Sequence, residues 1–301
     1  MKKVLGTALV LSLAATTGFA QGFYIRAGLG YAMPQAGQTI DGTGTPYNGT
    51  LNSNTGSFSI KGASFSAGLQ ALPSIGYMFS DHVGVQLDAT IGLSAKKYSF
   101  TETGVVINSI SNTIEFDQQA KTPFILSPSL VVQTGGEVWN IYSRIGLALP
   151  LHTTTTADQI QTNDPGTGAI TPYDFTFTVK NSFSFGFTGA AGVEYKISDN
   201  ISVWGEVNML SLSVYTKESD LTDFKASGQS QSLSYVTSPH QIAYTKSGVI
   251  DSVTQPSYAQ PFSNVGINVG IKFNLGGGGH HSSGRRNDNS DIDNSKPFRR
   301  R

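Results

Sequence analysis

An alternation of apolar and polar residues that outlasts an ordinary soluble strand constrains this chain more than any other feature. From Phe23 onward, Phe23, Ile25, Ala27, Leu29 and Tyr31 share one face of an extended chain, while Tyr24, Arg26, Gly28 and Gly30 share the other. Phe65, Ala67, Leu69, Ala71, Pro73, Ile75, Tyr77 and Phe79 repeat the pattern against Ser66, Gly68, Gln70, Ser74 and Gly76. After Ser80-Asp81-His82, the residues Val83, Val85, Leu87, Ala89, Ile91 and Leu93 resume it against Gln86, Asp88 and Thr90. The same reading runs through 124–132, 139–151, 183–195, 201–209 and 265–275, which gives eight strands. Soluble strands average about 5–6 residues. Several of these hold phase for more than ten, the length that crosses a membrane at the usual tilt, about 9–11 residues.

The connections form a second pattern. Ser80-Asp81-His82, Gly135-Gly136-Glu137 and Ser198-Asp199-Asn200 are tight turns built from residues that tolerate turn geometry. Between them lie long polar stretches near 32–63, 101–122, 152–178 and 216–261, with loop-like composition such as that of 41–49 and 162–168. Three short turns alternating with four long loops is the asymmetry of an outer-membrane barrel, whose short turns and termini are periplasmic and whose long loops are extracellular.

A secreted soluble barrel also alternates, but its polar face must meet water and should be dense in Lys, Glu and Asp. Here that face is mostly Gly, Ser, Thr, Asn and Gln, and charged residues make up only 13% of the chain against about 25% in soluble domains. Such a face suits the crowded interior of an eight-stranded barrel, which side chains just fill. Aromatics gather at both strand ends, as in interfacial girdles. Tyr77, Phe79, Trp139, Tyr195, Trp204 and Phe273 lie toward the short turns; Tyr31, Phe65, Tyr98, Phe100, Phe124 and Phe262 lie toward the loops. Trp204 shares parity with Glu206 and is expected to point inward.

The ends read differently. Lys2 and Lys3, the apolar run 4–15 and Gly18-Phe19-Ala20 have the three-part layout of a cleaved signal peptide, so residues 1–20 are expected to be removed. Residues 276–301 hold a Gly-rich linker, His280-His281 and a closing basic run; they cannot bury a core and are expected to form a disordered periplasmic tail. Residues 21–275 carry twelve Lys/Arg against seventeen Asp/Glu, which argues against a nucleic-acid partner. Cysteine is absent, which excludes disulfide and thiolate chemistry.

Seven charges fall on the inward face: Arg26, Asp88, Arg144, Glu194, Lys196, Glu206 and Lys272. Counted from the turns, Asp88, Arg144 and Glu206 share one depth, and the other four lie nearer the periplasmic mouth. Buried charges persist when paired and hydrogen-bonded. The set therefore reads as a salt-bridge network that fills the barrel, or as a gate that opens a narrow ion path. His82, His152 and His240 lie in or beside separate turns and loops, with no spacing that builds a metal site or a nucleophile–base pair. No catalytic residue, metal or cofactor is expected.

The segments 73–88 and 192–206 both have a strand–turn–strand form. The last strand carries Asn268, Gly270, Phe273 and Leu275 in a polar-x-Gly-x-x-aromatic-x-hydrophobic order. In these features residues 21–275 resemble the eight-stranded outer-membrane β-barrel family typified by the OmpA transmembrane domain. The resemblance implies an all-β, antiparallel, up-and-down transmembrane barrel in the outer membrane of a Gram-negative bacterium. It also implies that the last strand is read by the outer-membrane assembly machinery. The chain departs from the pattern in the tail that follows this strand, which is too short to be a peptidoglycan-binding domain. The expected role is structural or surface-interacting, with outer-membrane lipids around the barrel and an extracellular partner at the loops. A narrow porin-like channel and a lipid-modifying enzyme are the alternatives.

Overall fold

The computed structural model describes residues 22–35, 39–40, 61–107, 110–164 and 171–275. The signal peptide and tail assignments lie outside these residues. Eight barrel strands are present: β1 (Phe23–Pro34), β2 (Gly68–Ala71 and Ser74–Met78, interrupted at Leu72-Pro73), β3 (Val83–Ala95), β4 (Phe124–Gln133), β5 (Trp139–His152), β6 (Gly186–Lys196), β7 (Ile201–Ser211) and β8 (Asn264–Asn274). Each pairs antiparallel with its neighbours in sequence, and β1 pairs with β8 from Tyr24↔Asn274 to Pro34↔Asn264, which closes the barrel. Closure leaves no unpaired barrel edge, the condition for a sheet to stand in lipid. None of the described helices is long and apolar enough to cross a membrane.

The outward face is an apolar band. Ile25, Leu29, Ile75, Val85, Leu87, Leu130, Ile141, Ile145, Val193, Val207, Ile267 and Val269 are all exposed, an arrangement that is costly in water and favourable in hydrocarbon. At the short-turn rim Phe23 packs on Tyr77, Tyr77 on Phe79 and Trp139 on Tyr195, with ring centroids 4.7, 5.3 and 4.6 Å apart. The turns are held locally: Ser80 Oγ accepts from the backbone N–H groups of His82 and Val83, and Gly135 adopts a left-handed φ of 70°.

The long connections differ from the loop-like reading, for much of their length is paired strand. The barrel wall continues outward from β3 and β4 as the hairpin Tyr98–Ile107/Ile110–Ala120, from β5 and β6 as Thr155–Asp164/Thr171–Asn181, and from β7 as Ser213–Ala226. Together with Gln241–Thr245 and Thr254–Pro256 they form a second sheet in the same lateral order as the barrel strands beneath. The physical reason lies in stretches such as 171–181 and 213–226, where Thr, Tyr, Phe and Val alternate with polar residues. Turn-forming residues cluster at 165–170, which lie outside the described residues.

Candidate functional site in the barrel lumen

Inward-facing residues of β1, β3, β5 and β7 meet at the barrel axis. Arg144 on β5 donates through Nη1 to Asp88 Oδ2 on β3 at 2.6 Å, and through Nη2 to Glu206 Oε1 on β7. Arg26 on β1 reaches Glu206 Oε2 at 3.2 Å and Tyr142 Oη at 2.6 Å. Tyr142 Oη donates to Glu206 Oε2 at 2.8 Å, and Asn268 Nδ2 on β8 donates to Glu206 Oε1 at 3.0 Å. Asp88 also accepts from Gln86, whose amide oxygen takes the Tyr24 hydroxyl at 2.8 Å. Glu206 is thus the hub for two guanidinium groups, a phenol and a carboxamide. Side chains from alternate strands forming one layer is how a small barrel fills its interior.

A second pair lies one register step toward the periplasm. Lys272 on β8 donates to Glu194 on β6 at 3.0 Å, and its Nζ stands 4.6 Å from the Tyr24 ring centroid. Lys196 is half-buried near this mouth and makes no ion pair among the described residues. Arg26 pairs with Lys272 in register at the mouth, as the grouping by depth expects, but its long side chain also reaches Glu206 in the central layer. Trp204 does point inward, with the Arg26 guanidinium carbon 4.0 Å above its ring. Gly28 and Gly270 make room for that ring; a Cβ on either would come within 2.5 Å of it.

Parity places Tyr24 and Gln86 on the face of Arg26 and Asp88 without giving them a role, and Tyr142, two residues from Arg144 on β5, shares the inward face by the same rule.

Above the polar layer the lumen becomes apolar. Phe65, Tyr98, Ile125, Leu210, Leu212 and Phe262 form a buried cluster that closes the extracellular mouth. Phe65, Tyr98 and Phe262 are 1%, 5% and 0% exposed, so they belong to this plug and not to an outer aromatic girdle. Phe65 turns inward because 63–67 lies outside any strand and packs against Pro261, whereas Phe262 stays in the wall, bonded to Leu212, and shares the inward parity of Asn264 and Asn268. Phe65 N–H donates to Pro261 O at 2.8 Å, Ser66 Oγ to Phe262 O at 2.5 Å, and Tyr98 Oη to Ser64 O at 3.0 Å. At the periplasmic end a recess of about 10 Å³ is lined by Tyr24, Arg26, Gln86, Tyr142, Glu194 and Lys272. That is room for about one water.

The histidines are elsewhere. His82 touches Gln133 O at 3.2 Å in a turn, His240 touches Val236 O at 3.0 Å in the last loop, and His152 ends β5, exposed. Among the described residues no three potential metal ligands cluster.

A closed eight-stranded barrel with an apolar outer band and a filled core is now joined by a match in sequence. Residues 4–236 fit the model of the outer membrane protein beta-barrel domain. The chain belongs to this family. The matched family is the general barrel domain, broader than the OmpA transmembrane type, and it places the protein in the outer membrane. Among solved structures, similarity is found to Ail, the attachment invasion locus protein of Yersinia pestis, at 10% identity, TM-score 0.30, covering 84% of this chain and 99% of that one. The same protein in complex with the heparin analogue sucrose octasulfate matches at 10% identity and TM-score 0.28, with the same coverage. A Pseudomonas aeruginosa FadL homologue matches at 10% identity and TM-score 0.15, covering 84% and 89%. No curated protein matches.

In this outer-membrane barrel the last strand contributes to the lumen as well as to the wall. Asn268 and Gly270 face inward, the first bonded to Glu206 and the second under Trp204, whereas Phe273 and Leu275 face outward and are exposed. Two of the four residues expected to form an assembly signal are thus committed to interior packing.

Proposed function

We propose that this chain is a sealed outer-membrane anchor whose task is surface interaction, carried by the extracellular sheet. The observation behind the reading is the division of charge on that sheet. By register, Glu115, Asp117, Asp158, Asp174, Lys180, Glu218, Asp220, Asp223 and Lys225 share one face. Ile114, Phe116, Gln118, Gln159, Tyr173, Phe175, Phe177, Leu221 and Phe224 share the other. At its base the uncharged face runs into Tyr98, Ala120 and Val214 of the plug, so it looks toward the barrel axis and the charged face looks away. A tall wall with a charged outer side, standing on a filled lumen, suits contact better than conduction. The role we infer is non-catalytic, in keeping with three histidines that stand apart.

The test is planar-bilayer conductance of refolded protein whose barrel has been verified by heat-modified gel mobility, paired with adhesion of proteoliposomes to cultured cells. The expected result is no discrete conductance steps, together with adhesion that disappears when 155–181 is replaced by a four-residue turn. Discrete steps that vanish in Arg144→Ala/Glu206→Ala would replace this reading with the channel.

A further inference from the structure

Where the walls of β6 and β7 rise past the apolar band, an outward patch combines rings and cations. Phe183, Phe185 and Phe187 alternate outward on the segment entering β6 and are 73%, 66% and 57% exposed. The Phe185 and Phe187 ring centroids are 6.5 Å apart. Tyr215, also exposed, lies on the adjacent strand, tied to this segment by Ser182 N–H donating to Tyr215 O at 2.7 Å. Lys246 Nζ stands 4.8 Å from the Tyr215 ring centroid, and exposed Lys217 occupies the bulge two residues along. Nearby Lys180 is already held by Glu218 and Asp220 at 2.8 and 2.7 Å. Lys217 and Lys246 make no ion pair among the described residues.

We propose that this patch is a binding site for a lipid of the outer leaflet whose phosphate is uncapped and anionic, its acyl chains along Phe183, Phe185 and Phe187 and its phosphate between Lys217 and Lys246. The ladder of rings is continuous with the lipid-facing band through Phe187, which pairs with Ser211 at the top of β7. Aromatic side chains favour this boundary between hydrocarbon and headgroups. Each lysine at an anionic lipid surface contributes a factor of about five in binding. A free anion would gain the lysines but nothing from the three rings, and that is why the occupant is a lipid.

The experiment is native mass spectrometry of the refolded, full-length barrel in non-ionic detergent, titrated with phosphatidic acid or with phosphatidylcholine of the same chains. Phosphatidic acid should be retained at least about tenfold more strongly. Lys217→Gln and Lys246→Gln should each weaken retention about fivefold, and Phe183→Ser should weaken it while heat-modified mobility stays unchanged. Lys180→Gln, whose lysine is occupied by carboxylates, should change little. Equal retention of the two lipids, indifference to both lysine substitutions, or displacement by equimolar inorganic phosphate would each overturn the site. A protein that binds the patch in place of the lipid would do the same.

Discussion

Arg26 and Tyr142 stand on β1 and β5, diametrically opposite in the eight-strand order, and are joined by a 2.6 Å hydrogen bond. The lumen is therefore bridged from wall to wall. Glu206 sits between the two and accepts from both, which makes it the residue whose removal disturbs the interior most.

Glu206→Ala leaves Arg26 and Arg144 as buried cations short of a partner. The loss expected on breaking one buried pair is about 3–5 kcal/mol. Urea unfolding in lipid vesicles, followed by tryptophan fluorescence, should show it. The double variant Arg144→Ala/Glu206→Ala should lose clearly less than the sum of the singles, because it removes one of the orphaned charges. Additive losses would mean that the two side chains do not interact.

Gly270→Ala places a Cβ 2.2 Å from Ala27 O and 2.5 Å from the Trp204 ring. Backbone on one side and an indole on the other leave little room to yield, so a loss of about 1–3 kcal/mol is expected. Trp204→Ala should restore part of it and no more, since the Ala27 carbonyl stays in place. Phe273→Ala, on the outward face, should leave unfolding in vesicles nearly unchanged. The two substitutions together separate interior packing at this strand from any reading of it during assembly.

Phe262→Ala opens the plug where Phe65 and Phe262 pack with centroids 5.7 Å apart. The barrel strands beneath are paired independently, so the change should stay local. Hydrogen exchange should accelerate at the Phe65 amide, which donates to Pro261 O, while amides of β5 and β7 keep their protection. Uniform acceleration across the barrel would show that the plug and the wall are one cooperative unit.

Outside the membrane, the hydrogen bond from Lys180 holds the Asp220 carboxyl below its ordinary value, with Gln241 adding to the effect. A depressed native value means that the pair's contribution is complete above the ordinary carboxylate range and is lost as pH falls through the native value. Carboxyl carbon NMR should find Asp220 titrating below 3.8, the ordinary value for this group. In Lys180→Met it should move up toward that value. An Asp220 titration that ignores the lysine would remove the ion pair from the description of this face.

Alternation with period two needs only the local backbone. It therefore determined the eight strands, their facing and the inward placement of Arg26, Asp88, Arg144, Glu194, Glu206, Lys272 and Trp204. Turn chemistry at 80–82, 135–137 and 198–200 likewise acts within a few residues, which is why the short side of the barrel was legible. Partner choice across the lumen was not. Arg26 meets Glu206 and Tyr142 because closure brings β1, β5 and β7 around one axis, a relation between residues as much as 180 positions apart. Phe65 shares parity with outward Leu69 yet turns inward outside the strand, and Phe262 continues the inward parity of Asn264; burial of both against Leu212 and Tyr98 is available only once the barrel has closed. The hairpins above the membrane were hidden for a related reason. Thr, Gln and Asp suit either loop or strand, and only the neighbouring wall, which offers a pairing edge at the right height, decides between them.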